Sequence, residues 1–379
     1  MIRLSAVLAL TLSVASLQAA PIERLWLSHA FETPNQLVVN WETETPSDST
    51  VEFGASEALG TKVHRDEKVT LHHVEIPLAS PGGRYHYRVR SGEETSAIHS
   101  FKGYPKDELR IVIVGDWGYS KVTDFSALMK DDPHLIISAG DNVASLHEKG
   151  REGMKAFSAL IASQPALFRS IPFMPILGNH DREITPRGPK PPEHPVYDVE
   201  AQAYREFFAL PGDEWKWHLD LPEFDIRFIA LDLQHISDFG STWQTCHPFD
   251  AQSEQFLWYR DLMGQSSQGF VFTLINEKQT AVESQTKGLW HEWFSKGSAL
   301  ISGFGYFADR AELKSGLPYY NTCLKGDGSP YKDPRSKFFA QQDNYLLLTL
   351  RRGQPVTIQF KNLKGEVLDT THIEKRVKP

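Results

Sequence analysis

Between residues 21 and 104 apolar and polar positions alternate in short runs broken by turn residues, with almost no helical spacing. In Leu37-Val38-Val39-Asn40-Trp41 the residues Leu37, Val39 and Trp41 share one face; in Tyr85-His86-Tyr87-Arg88-Val89-Arg90 the two tyrosines and Val89 face one way and His86, Arg88 and Arg90 the other. Successive side chains of a strand point to opposite faces, so this period of two predicts half-buried strands. Several of them in roughly 80 residues predict a small antiparallel sandwich, with Trp41 and a tyrosine of the second run in its core. A sugar-binding platform is the weaker reading of these aromatics, because alternation alone accounts for them.

After Lys102-Gly103-Tyr104-Pro105 the pattern changes. Unbroken apolar runs end in Gly or Asp and lead into helical spacing: Ile111-Val112-Ile113-Val114 runs into Gly115-Asp116, His134-Leu135-Ile136-Ile137 into Ser138-Ala139-Gly140-Asp141, and Pro175-Ile176-Leu177 into Gly178-Asn179-His180-Asp181. Helical spacing recurs at 125–129, 154–161 and 253–263, and further strands are expected at 226–231, 270–274 and 299–301. Residues 345–350 and 356–360 read as a closing hairpin, and the Pro-rich stretch 186–195 as an exposed loop. The alternation predicts an α/β layered domain whose chemistry gathers at the carboxyl ends of its strands.

Composition adds limits. The 379 residues are 40% apolar and 23% charged, with 26 Gly and 23 Pro, which excludes collagen-like, coiled-coil and disordered chains. The balance of 40 Lys+Arg against 48 Asp+Glu, a formal −8, offers no patch for nucleic acid. Residues 1–20 run from one Arg through a short apolar stretch to small residues, the order of a secretory signal peptide, with cleavage expected after Ala19. The expected units are therefore a leader at 1–19, a β domain at 21–104 and an α/β domain at 108–379, exported to the periplasm or the extracellular space. The lack of a cysteine near the cleavage site argues against a lipid anchor, and no later stretch is long and apolar enough to be a membrane anchor. Of the two cysteines, Cys246 and Cys323, spacing leaves open a disulfide or two free thiols.

Three strand-end blocks carry the candidate chemistry: Asp116 in Gly115-Asp116-Trp117-Gly118, Asp141 in Gly140-Asp141-Asn142, and Asn179 in Gly178-Asn179-His180-Asp181. A Gly-Asp turn after a strand is by itself only a cap. In this order, each behind an apolar strand, the blocks put two carboxylates and an amide oxygen where they can hold divalent cations that share a hydroxide.

With these blocks the sequence resembles the calcineurin-like metallophosphoesterases, and more closely the purple acid phosphatases. The strand Phe228-Ile229-Ala230-Leu231-Asp232 and the helix Gln255-Phe256-Leu257-Trp258-Tyr259 add to the resemblance. It implies an N-terminal all-β fibronectin type III-like sandwich followed by a four-layer α-β-β-α metallophosphoesterase domain. It also implies a dinuclear metal centre and hydrolysis of phosphate esters by a metal-bound hydroxide, with His180 contacting the phosphate; His180 alone reads equally as a relic hydrogen-bond donor.

The second half of that implied site departs from the family. Asn276 stands where a ligand histidine is expected, with the alignment open by one residue to Ile275. Phe304 and Tyr306 occupy both histidine positions of a Gly-His-x-His pattern, and Ala144 replaces the tyrosine that colours purple members. Three of the seven implied ligands remain, Asp116, Asp141 and Asn179, all oxygen donors. Oxygen sets favour Mg, Mn or Ca over Fe or Zn, and no metal at all is the other expectation. Tyr306, Asn276 and Glu277 are the substitute ligands to consider, with His235 and His247 as loop histidines that could swing inward; Phe304 opposes a metal beside it, since its ring offers no bond to replace lost hydration. The expectation is an exported homologue with an impaired or absent dinuclear centre, a pseudoenzyme or a binder of a small phosphate ester or a protein. The alternative is an active phosphate-ester hydrolase with a nonstandard oxygen-rich site.

Overall fold

The computed structural model describes residues 22, 24–78, 82–146, 150–183, 201–236, 246–328 and 331–376. The leader at 1–19 and the Pro-rich loop at 186–195 lie outside the described residues.

The N-terminal part is all β: β1 Leu25–Ser28, β2 Gln36–Gly54, β3 Thr61–Pro77, β4 Arg84–Ser91, β5 Glu94–Thr95 and β6 His99–Lys102. The two alternating runs lie in β2 and β4, and Leu37, Val39, Trp41, Tyr87 and Val89 are fully buried in one cluster, so these aromatics are core. β2 and β3 run much further than the apolar pattern predicts. Polar residues fill the middle of β2, and the register slips between Glu42 and Ser47, where Pro46 can donate no ladder hydrogen bond. Val38 and Asn40 on the opposite face of β2 are buried too. Near them Trp26 stacks on Phe207 at 4.4 Å, and the Tyr87 hydroxyl donates to Arg169 O at 2.8 Å, so the β domain is fastened to the rest of the chain.

The second part has two sheets facing each other. One contains β7 Glu108–Val114, β8 Leu135–Ser138 and β9 Phe173–Pro175, which are mutually parallel, with β17 Asn344–Arg351, β18 Val356–Asn362 and β19 Val367–Ile373 added antiparallel in the order β19-β18-β17-β7-β8-β9. The other comprises β10 Trp217–Leu221, β11 Ile226–Gln234, β12 Phe270–Asn276, β13 Ala299–Ser302, β14 Ala308–Glu312, β15 Pro318–Asn321 and β16 Phe338–Ala340, in the order β10-β11-β12-β13-β15-β14-β16. Ile111, Ile113 and Leu346 from the first sheet share a buried cluster with Phe228, Phe272 and Ile301 from the second.

Helices α1 Ser126–Lys130, α2 Gly150–Ser163, α3 Pro165–Phe168 and α4 Gln202–Phe207 accompany the first sheet, and α5 Glu254–Gln265, α6 Gln279–Gln285 and α7 Leu289–Phe294 the second. Phe168 and Phe208 pack on Phe173 of β9; Phe256, Tyr259, Trp290 and Phe294 cover Ile229 and Val271. The four layers are α-β-β-α. Ser253 starts α5 as an N-cap, its hydroxyl accepting from Phe256 N at 3.3 Å.

Two expectations shift. The third apolar run forms its strand at Phe173–Pro175 rather than 175–177, because Ile176 and Leu177 already belong to the loop that delivers Asn179. The C-terminal hairpin is a three-strand meander, since the edge strand β19 is largely polar and shows little apolar signal. Cys246 and Cys323 are both free thiols.

Candidate metal centre

Because β7, β8 and β9 run parallel, the loops after them meet at one edge of the sheet and carry Asp116, Asp141 and Asn179 together. The ends of β12 and β13 approach from the other sheet: Asn276 Nδ2 donates to Ala139 O at 2.9 Å and to Gly303 O at 2.6 Å. Asp116 and Asp141 each hold a left-handed backbone with φ of 52°, a conformation that Asp tolerates better than most residues and that concentrates at functional sites. Gly178 has no alternative, because a Cβ there would lie 2.1 Å from Asp141 N.

The floor is acidic and buried, with Asp116, Asp141 and Asp181 all shielded from solvent. Burial, and then the charge of Asp141, push the Asp116 carboxyl up to about 7, although Cys323 Sγ donates to its Oδ2 at 2.9 Å. Burial, and then Asp181, hold Asp141 well above the usual carboxylate range; His180 N donates to its Oδ1 at 3.3 Å. Asp181 is a hub: Gly178 N and Asn142 Nδ2 donate to its Oδ2 at 2.8 Å, and Val143 N to its Oδ1 at 3.1 Å. Burial still outweighs those bonds and lifts Asp181 to about 6.

His180 lies at the mouth, with the Tyr119 hydroxyl 2.8 Å from Nδ1 and 2.9 Å from Nε2. The Tyr306 ring is 5.3 Å from Tyr119, its residue at φ 67°. Burial, and then Asp116, push the Tyr306 phenol far up, so without a cation it stays neutral. Phe304 packs edge-on to Tyr331 at 5.7 Å, with His235 at 5.3 Å. Glu277 is fully buried and accepts from Lys278 N at 2.9 Å. Ile275 is in the core and Ala144 is exposed. His247 turns away: its Nδ1 lies 2.6 Å from Asp232 Oδ2, and its ring stacks on Trp215 at 3.4 Å. Burial raises the Asp232 carboxyl, but Arg182 and His247 outweigh it and leave it lowered.

Asp116, Asp141 and Asn179 thus come together, with Tyr306, Phe304 and Asn276 opposite. Among the described residues no three His, Cys, Asp or Glu side chains group closely enough to hold a metal ion. An imidazole-rich iron or zinc centre does not fit this donor set. Sequence reasoning missed Asp181 as the hub, Cys323 as a donor to Asp116, and Tyr119 at the mouth. Only Asp181 carried a signal, as the last residue of its block.

The calcineurin-like phosphoesterase family model matches residues 109–314, just over half of the 379, and the chain belongs to that family, whose members are metal-dependent. Within it the chain is similar to acid phosphatases. It is 26% identical over 227 residues to acid phosphatase type 7 of Homo sapiens and 24% identical over 217 residues to that of Mus musculus, covering 54% and 52% of this chain. The alignments span 47% and 45% of those proteins, so the chain spans about half the length of these relatives. Two solved structures share the fold. Purple acid phosphatase PPD1 from yellow lupin (Lupinus luteus) seeds superposes with a TM-score of 0.70 at 15% identity, over 94% of this chain and 75% of its own. PhoD gives 0.68 at 12% identity, over 95% and 90%.

Proposed function

We propose that this protein is an exported metallophosphoesterase homologue with an impaired dinuclear centre, whose cleft serves as a binding surface for a small phosphate ester or a protein ligand. One observation carries the reading: the three positions where histidine ligands are implied hold an amide that clamps two backbone carbonyls, an apolar ring and a neutral phenol. The amide and the apolar ring do not replace an imidazole as a ligand for iron or zinc, and the Tyr306 phenol would have to ionise to do so. Export rests on the order of charge, apolar and small residues in 1–19; N-terminal sequencing of the secreted protein should start at Ala20, and an uncleaved Met1 overturns that part.

Metal analysis with phosphatase assays tests the central claim. As purified, the protein should carry well under one equivalent of Fe or Zn, and should turn over phosphate esters only after Asn276→His, Phe304→His and Tyr306→His are combined. Two tightly held equivalents in the natural chain would overturn it.

A second reading, a single cation held by oxygens, is favoured by two features. The Asn276 Oδ1 is buried without a hydrogen-bond partner, and Asp116 and Asp141 repel each other in a way that a Mg, Mn or Ca ion would relieve. Metal-stimulated hydrolysis abolished by Asp116→Ala or Asn179→Ala would decide for it.

A further inference from the structure

The seam between the β domain and helices α2 and α3 holds a cavity of about 440 Å³, a volume that suits a small molecule. It shares no residue with the candidate metal centre. The β domain supplies Ile22, Arg24 and His99, and the far side supplies Ala162 from the end of α2, Pro165 from the start of α3, and Arg169. The Tyr87 hydroxyl that donates to Arg169 O ties the two sides together, and the His99 ring packs against Tyr87 at 5.9 Å.

Among the described residues every titratable side chain lining this cavity is basic, on a chain with a formal −8. The three are not equivalent. Arg24 Nε lies 3.1 Å from Glu42 Oε2, which offsets its charge. Burial, and then the charge of Arg169, lower the His99 imidazole to about 4, so that ring is neutral at neutral pH. Arg169 has no such compensation: among the described residues no carboxylate pairs with its guanidinium and no hydrogen bond engages it. One unmatched positive charge is therefore left in a cavity whose other walls, Ile22, Ala162 and Pro165, are apolar. A guanidinium presents two parallel N–H donors that match the two oxygens of a carboxylate, whereas a dianion would find one charge too few.

We propose that the seam cavity binds a monocarboxylate with a short aliphatic chain. The carboxylate meets the Arg169 guanidinium, and the chain lies on Ile22, Ala162 and Pro165. Because the walls come from both parts of the chain, the ligand bridges the β domain and the first sheet's helices. The site stands apart from the cleft and does not rest on the reading of it.

Calorimetric titration at neutral pH tests the assignment, using sodium hexanoate, sodium acetate, sodium adipate and hexylammonium chloride. Hexanoate should bind about tenfold tighter than acetate, the effect of burying roughly two methylene groups. Adipate, with the same number of carbons and a second charge, should bind more weakly than hexanoate, and hexylammonium should not bind. Arg169→Ala should abolish hexanoate binding, while Arg169→Lys, which keeps the charge and loses the paired donors, should weaken it. Ala162→Glu, at an exposed position of α2, should abolish it by placing a carboxylate in the cavity. Hexanoate bound no tighter than acetate or adipate, binding of hexylammonium, hexanoate binding that survives Arg169→Ala or Ala162→Glu, or no binding at all overturns the assignment. Melting curves confirm that each variant is folded, and if Arg169→Ala does not fold, Ala162→Glu decides. The titrations are made in EDTA, so the result is read apart from any metal in the cleft, and failure of either proposal leaves the other standing.

Discussion

The two walls of the cleft keep their shape by different means. On the β7–β9 wall, buried carboxylates are held by backbone donors and one side-chain amide: Asp181 collects Gly178 N, Val143 N and Asn142 Nδ2, and Asp141 collects His180 N. On the β12–β13 wall the equivalent work is done by a neutral amide, Asn276, and by rings. The first wall stores repulsion between acids; the second stores none. A cleft whose walls are joined by a hydrogen-bonded amide is held in shape without a cation between them, and that is what the following experiments probe.

The largest effect is expected at Asp181. Asp181→Ala strands three buried donors and should cost about 3 kcal/mol in urea unfolding. A loss below about 0.5 kcal/mol, the size of an ordinary surface change, would mean that the block holds without its hub. Next comes the opposite wall: Asn276→Ala frees the carbonyls of Ala139 and Gly303 and should cost about 2 kcal/mol, with faster amide exchange at the ends of β8 and β13. Exchange unchanged at both strand ends would show that the walls are joined elsewhere.

The smallest effect should have the opposite sign. In metal-free protein Asp141→Asn removes a charge that Asp116 resists, and should stabilise by about 1 kcal/mol at pH 7. Asp116 has a folded value near 7 against an ordinary carboxylate value near 4, so the native state binds the extra proton in that window and stability falls as pH rises through it. His29 pulls the other way. Burial lowers its imidazole to about 4, so its contribution to stability is lost as pH falls below about 6.5. Between about pH 4 and 6.5 these two slopes oppose each other and nearly cancel, so the decline in melting temperature should show from about 6.5 to 7, and Asp141→Asn should reduce it. A decline equally steep in the variant would remove Asp141 as its cause.

Much of this was legible in the chain. Leu37, Val39 and Trp41 announce their face by alternation, and Ile111-Val112-Ile113-Val114 announces a strand covered on both sides by being apolar throughout. The blocks around Asp116, Asp141 and Asn179 were readable because a strand ending in Gly-Asp or Gly-Asn is a local signal, and parallel strands bring such ends to one edge. β14, β15 and β16 were not foreseen, being short and mixed in character, and the edge strand β19 is mostly polar.

By itself, then, the sequence determined the two architectures and the order of the blocks, because each is written within a few neighbouring residues. Only the tertiary structure decided which partners the residues around the cleft find. Asn276 finds Ala139 O from 137 residues away, and Cys323 finds Asp116 from 207 residues away. Such partners depend on which strand ends lie opposite one another across two packed sheets, and no local pattern of residues encodes that.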